Sequence, residues 1–256
     1  MGGLFHRWRH PPRSYVICGI ARSGTNLLSD GLGETGRAGR PNQFFFPAFE
    51  EYFRREHGLG PEILFADYVR KMIERTSTSN AVFGFKLMAS YLEDFLARLR
   101  DTGAFGGPET PDLELLRNAF PRLRLLQITR RNKLRQAISQ ARALQTGLWK
   151  VQPGKKPSGT AQFDRELIAR CLDDAEQAEK IWSAFFRRVA QQPLQIEYED
   201  LCENYEATIR AVLKFLKVGL PRGRRIVPIT VRQADAISAE WEERFLAGSP
   251  SPSDRA

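Results

Sequence analysis

Two clusters of residues in this chain have the types and spacing to hold anions. In YVICGIARSGTNLLSDGLGE, residues 15–34, four residues separate Gly19 from Gly24. A loop that cradles a nucleotide triphosphate reads G-x-x-x-x-G-K-[ST], with a lysine directly after the second glycine. Here Thr25 and Asn26 follow Gly24, and the only cation, Arg22, lies inside the loop. Backbone N–H groups from Ser23 to Asn26 would point at an anion, favoured by the dipole of a following helix. Thr25 and Asn26 add side-chain donors, and Arg22 adds a forked cation. The second cluster, QITRRNKLRQAIS (127–139), carries Arg130 and Arg131, with Ser139 eight residues after Arg131. A helix beginning near Asn132 puts Ser139 about two turns in, where hydroxyl and guanidinium could grip a second phosphate.

The surrounding pattern predicts the elements that would position these groups. Residues 15–19 form a short β-branched apolar run, hence a buried strand, and 24–33 have helical spacing through Leu27, Leu28, Gly31 and Leu32. Strand, glycine loop and helix, in that order, make a phosphate site at a helix N-terminus. Further strands are expected at 81–88, 123–129 and 193–201. Helices are expected at 62–75, from about 132 to 145, at 163–190 and at 205–217. Alternation of this kind predicts an α/β fold with a central parallel sheet flanked by helices, and ligands beyond the carboxyl ends of its strands. Gly19–Asn26 and Arg130–Arg131 both fall at such ends. Lys86, in the strand FGFKLM, either points into the crevice toward an anion or faces solvent. The glycine- and proline-rich stretches 101–112 and 151–160 read as loops that could cover an acceptor.

A chain of 256 residues with 42% hydrophobic content and 17 phenylalanines suffices for one large domain, read as 15–256 after a basic leader at 1–14. Three widely spaced cysteines suit reduced thiols, and neither they nor His6, His10 and His57 show metal-ligand spacing, so no metal is expected. No run approaches the roughly 20 apolar residues of a spanning helix, and no secretory or lipidation signal is present, which predicts a cytoplasmic protein without an integral membrane segment. The formal charge of +9 suits polyanion partners, but its arginines are scattered and no nucleic-acid-binding signature accompanies them, so no nucleic-acid partner is expected.

Together the two clusters resemble the sulfotransferases that use 3′-phosphoadenosine-5′-phosphosulfate (PAPS). ARSGTNLL is similar to their 5′-phosphosulfate loop and RRNKLRQAIS to their 3′-phosphate motif. TGRAGRPNQFF (35–45), GFKLM (84–88) and VRQADAISAEWEERF (231–245) resemble the mycobacterial trehalose 2-sulfotransferase family, and 128–149 also resembles the rhizobial Nod-factor sulfotransferase. The resemblance implies a P-loop-like sulfotransferase fold and sulfuryl transfer from PAPS to a hydroxyl of a carbohydrate or glycolipid, with adenosine 3′,5′-bisphosphate as product. It implies that Arg22, Ser23, Gly24, Thr25 and Asn26 hold the 5′-phosphosulfate. Arg131 and Ser139, with Arg130 as second candidate, hold the 3′-phosphate. Gln43, with Asn42 and Phe44, faces the acceptor hydroxyl, and relatives suggest a homodimer; Lys86, by its strand position, would on the inward reading contact the transferring sulfuryl group or the leaving phosphate. One position departs from the pattern: the trehalose family carries a glutamate, taken as general base, where Gln43 stands. A carboxamide orients a hydroxyl but accepts no proton. Glu50, Glu51 and His57 lie just downstream.

Two other readings compete. A P-loop kinase needs a lysine after Gly24 and an acidic magnesium ligand at a strand end. A non-catalytic polyanion-binding protein needs only the basic surface.

Overall fold

The computed structural model describes residues 12–150, 158–221, 223–228 and 236–248. Four strands form one parallel sheet in the order β2-β1-β3-β4: β1 (Arg13–Gly19), β2 (Val82–Met88), β3 (Arg124–Thr129) and β4 (Leu194–Glu197). The chain leaves β1 toward β2 and returns on the other side of β1 to form β3. The strand order therefore reverses beside the end of β1, which opens a crevice there.

Ten α-helices and a 3-10 turn at Ala89–Tyr91 complete the described chain: α1 (Thr25–Glu34), α2 (Pro47–Glu56), α3 (Phe65–Thr76), α4 (Leu92–Asp101), α5 (Asp112–Ala119), α6 (Lys133–Thr146), α7 (Arg165–Arg188), α8 (Tyr198–Glu203), α9 (Tyr205–Phe215) and α10 (Ala236–Leu246). The expected strand 193–201 ends four residues early, because Tyr198 begins α8. Helices α2, α4, α5, α8 and α10 were not among the expected elements. The first strand begins at Arg13, inside the span read as a leader; residues 1–11 lie outside the described residues.

Side-chain alternation along β2 sorts the two faces of the sheet. Phe83, Phe85 and Leu87 enter one core with Phe44, Phe45, Phe95, Phe120 and Trp182. Tyr15 and Ile17 of β1 enter the other, with Leu28 and Leu32 of α1 and Ile209, Val212 and Leu213 of α9. Lys86 pairs in register with Ile17, so it shares the face that α1 covers. Gly84 is required below it, since a Cβ there would lie 2.3 Å from the Tyr15 ring. The Tyr15 hydroxyl donates to the carbonyl of Ala38 at 2.6 Å, which begins to fasten segment 35–45 to the sheet edge. The fastening continues at Asn42, which bridges to Phe85 and accepts the N–H of Lys86 at 2.9 Å.

Loop 102–111 is tied down rather than open. Asn118 donates to the carbonyl of Phe105 at 2.8 Å, and the Arg70 guanidinium lies 5.4 Å from the centre of the Phe105 ring. These contacts go to α3 and α5, so they hold the loop beside those helices. Of the other expected cover, 151–157 lies outside the described residues.

Candidate anion-binding active site

The loop after β1 is shaped by conformations that few residues adopt. Gly24 has φ +97°, and a Cβ there would lie 2.5 Å from the Tyr198 ring. Arg22 has φ 61°, left-handed without being glycine, a placement that clusters at functional sites. Ser23 closes the turn: its Oγ donates to the carbonyl of Ile20 at 2.9 Å and accepts the N–H of Ile20 at 3.3 Å. It is wholly buried, so its hydroxyl shapes the loop instead of reaching a ligand. Thr25 is 5% exposed and lies over Gly19, where a Cβ would sit 2.3 Å from its methyl group. From the opposite face, the Trp182 indole donates to the carbonyl of Gly19 at 2.9 Å. No side chain caps the first turn of α1, so its N–H groups remain the loop's contribution to an anion.

The second cluster meets this loop. Arg22 Nε donates to Ser139 Oγ at 2.9 Å, and Arg22 Nη1 donates to the carbonyl of Trp149. Arg130 turns inward: its guanidinium lies 4.6 Å from the centre of the Tyr198 ring and makes a long 3.5 Å contact with the carbonyl of Arg22. Arg130 Nε is buried and has no hydrogen-bond partner among the described residues. Gln136, also fully buried, donates to the carbonyl of Ala21 at 2.8 Å and braces the loop from α6. Burial lowers the Arg22 pKa to about 10, and the charges of Arg130 and Arg142 add to the effect, opposed by Tyr198. Burial likewise lowers that of Arg130. Partly desolvated guanidiniums that destabilise one another favour an anion between them.

Arg131 is placed differently. Half-exposed, it pairs with Glu197 at 2.6 Å and Asp200 at 3.0 Å, and its N–H donates to Glu199 at 3.0 Å. The carboxylates of β4 and α8 therefore hold Arg131 away from the loop, while Arg130 faces it. Adjacent residues at a strand end point in opposite directions, and the structure distinguishes the two arginines on that basis.

Lys86 points inward. It is 4% exposed and donates to Asn26 Oδ1 at 2.8 Å, at the first turn of α1. Burial lowers its pKa to about 8, partly offset by the charge of Asp30 and assisted by that of Lys150.

On the acceptor side, Asn42 is exposed and Gln43 half-buried, beside Lys86 in the chain's edge pairing. Phe44 does not join them. Its ring is 2% exposed and packs against Phe53 at 4.9 Å and Phe83 at 6.1 Å, so it belongs to the core. Glu50 is 7% exposed and held by Arg98 at 2.6 Å, which commits it to a structural ion pair. Glu51 pairs with Arg55 in solvent, its side chain 82% exposed. Tyr198, Gln136, Trp149 and Trp182 are contributors that sequence reasoning did not place at the site. Gln136 and Trp149 carried a signal, through the resemblance of 128–149; Tyr198 lay inside the span 193–201 read as a strand, and Trp182 inside the helix 163–190.

The Stf0 sulphotransferase family matches residues 14–248, which include every element of the site. The chain belongs to that family. Two trehalose 2-sulfotransferases are similar to this Stf0 chain along most of their length. That of Mycolicibacterium smegmatis is 27% identical over 259 residues, covering 91% of this chain and 94% of its own. That of Mycobacterium tuberculosis (strain Erdman) is 27% identical over 268 residues, covering 93% and 96%. Among solved structures, the sulfotransferase domain of the Synechococcus PCC 7002 olefin synthase aligns at 16% identity with a TM-score of 0.44, covering 93% of this chain and 90% of that domain. Among the described residues of this Stf0 chain, no cluster of three or more His, Cys, Asp or Glu side chains could hold a metal ion, and no helix is long and apolar enough to cross a membrane.

Proposed function

We propose that this Stf0 chain transfers a sulfuryl group from PAPS to a hydroxyl of a carbohydrate or glycolipid acceptor. The observation that carries the reading is the convergence of Arg22, Arg130 and Ser139, drawn from two distant motifs, on one helix N-terminus. A donor with phosphates at both its 5′ and 3′ positions needs two cationic pockets side by side. The buried Arg130 Nε without a partner fits such an anion.

In this reading the N–H groups of Gly24, Thr25 and Asn26 bind the 5′-phosphosulfate, and Arg22 stabilises charge gathering on the leaving phosphate oxygen. Arg130 and Ser139 hold the 3′-phosphate, with Arg131 and its carboxylates as the outer wall. Lys86, fixed by Asn26, offers its ammonium to the transferring group from the β2 side. Gln43 and Asn42 orient the acceptor hydroxyl. Bound PAPS supplies an activated sulfuryl group, and transfer parallels in-line phosphoryl displacement, in which positioning and charge stabilisation do most of the catalysis. The names of the two curated relatives favour a trehalose-like sugar as acceptor. The glutamine at position 43 distinguishes this chain from the trehalose family's pattern.

Incubation with sulfur-labelled PAPS and a panel of sugars and glycolipids tests the reading, label in a sugar product being the expected result. A kinase would instead be stabilised more by ATP with magnesium than by adenosine 3′,5′-bisphosphate in a thermal-shift assay. A polyanion-binding protein would bind heparin with steep salt dependence and transfer no label.

A further inference from the structure

The segment that leaves α6 is drawn across the anion loop. Gly147 ends the helix with φ 65°, and the carbonyl of the preceding Thr146 accepts both the N–H and the hydroxyl of Ser158, at 2.9 Å and 2.7 Å. Beyond Gly147, the Trp149 carbonyl is held by Arg22, and Lys150 Nζ donates to Asp30 Oδ1 of α1 at 2.7 Å. Two consecutive residues are thus anchored, one to the loop's cation and one to the helix behind it. The indole between these anchors is 44% exposed, whereas Trp182 and Trp241 are 0% and 3% exposed.

The sheet order assigns this segment a side. Arg130 and Tyr198, at the ends of β3 and β4, flank the loop where the 3′-phosphate motif lies. Lys150 lies toward the other side: its partner Asp30 stands one turn along α1 from Asn26, which accepts from Lys86 of β2, the strand to which Asn42 is bonded. Trp149 therefore stands beside the cation at which transfer would occur, toward the acceptor residues. A broad, rigid ring with a fixed backbone is suited to the apolar C–H face of a sugar, while its hydroxyls turn to polar groups such as Gln43 and Asn42.

We propose that the indole of Trp149 is the platform on which the acceptor's pyranose ring stacks, and that it sets the acceptor class. This rests on the sulfotransferase reading above and adds a residue to its acceptor side. The loop that binds the donor's phosphosulfate thereby also holds the acceptor platform, through the contact between Arg22 and the Trp149 carbonyl.

Trehalose serves as the probe, titrated by calorimetry into the full chain with saturating adenosine 3′,5′-bisphosphate. Wild type is expected to bind trehalose, and Trp149→Phe to keep that affinity within about threefold. Trp149→Ala should weaken trehalose about tenfold or more. Affinity for the bisphosphate, measured by calorimetry, should be the same in all three proteins. Equal trehalose affinity in Trp149→Ala and wild type would overturn the proposal, as would no trehalose binding to wild type. Loss of bisphosphate affinity in Trp149→Ala would also overturn it, by moving the indole to the donor. Failure of wild type to bind the bisphosphate at all would instead overturn the donor reading beneath it.

Discussion

Arg22 Nε lies 2.9 Å from Ser139 Oγ, a hydrogen bond between residues 117 positions apart that ties the phosphate loop to α6. It makes two motifs into one site. Each motif alone describes a common structural feature, a glycine turn or an arginine at a helix start. Joined, they place the guanidinium of the first motif against the hydroxyl of the second.

Replacing Arg22 with alanine is expected to lower turnover by about 10²-fold or more, the scale of losing one transition-state donor. Ser139→Ala should cost less, since it removes one hydrogen bond to a charged group, worth about 1.5–3 kcal/mol, and it should act mainly on donor affinity. Steady-state kinetics with labelled PAPS separates the two effects. Undiminished turnover in Arg22→Ala would remove that residue from the mechanism.

The two neighbouring arginines should behave unequally. Arg130, half-buried over the Tyr198 ring and facing the loop, is expected to weaken adenosine 3′,5′-bisphosphate binding more when changed to alanine than Arg131, which three carboxylates occupy. Calorimetric titration of the two variants reads the difference. A larger loss at Arg131 would reverse the assignment.

Lys86 should leave a signature in pH. Its folded-state pKa of about 8 is below its ordinary value of 10.5 because burial penalises the charge. Both states are protonated below about pH 8, where the buried charge costs the most stability. Between 8 and 10.5 the unfolded state binds more protons, so this group's contribution to stability rises with pH. Activity should run the opposite way, with kcat/KM falling above about pH 8 as the ammonium is lost. Lys86→Met is accordingly expected to be more stable than wild type at pH 7, by chemical denaturation, and to transfer less. An alkaline limb unchanged in Lys86→Arg would detach it from this lysine.

Much of this was legible in the sequence. The strand-loop-helix of 15–34 and the helix after Asn132 are local patterns, and both formed within a few residues of their expected bounds. What was hidden depends on distant contacts. The stretch IEYEDL (196–201), within the expected strand, alternates like one, yet Tyr198 starts a helix and its ring closes over Gly24. Phe44 follows the acceptor residues in sequence, but the aromatic core claims its ring through Phe53 and Phe83. Whether Lys86 faced in or out depended on register with Ile17 and on the cover supplied by α1, neither of which a single strand encodes.

Gln43→Glu is the informative change on the acceptor side. Restoring a carboxylate at the trehalose family's base position should raise transfer to trehalose if that sugar occupies this site, because general-base catalysis is worth about 10²–10⁴-fold where it operates. Transfer rates with labelled PAPS and trehalose check it. No gain would assign this chain an acceptor bound in another way.

The central claim is that one doubly phosphorylated adenosine compound spans both pockets. A crystal structure with adenosine 3′,5′-bisphosphate tests it most directly. The expected result is the 5′-phosphate on the N–H groups of Gly24–Asn26 and the 3′-phosphate within hydrogen-bond distance of Arg130 and Ser139. A nucleotide bound elsewhere, or none bound, would contradict the account.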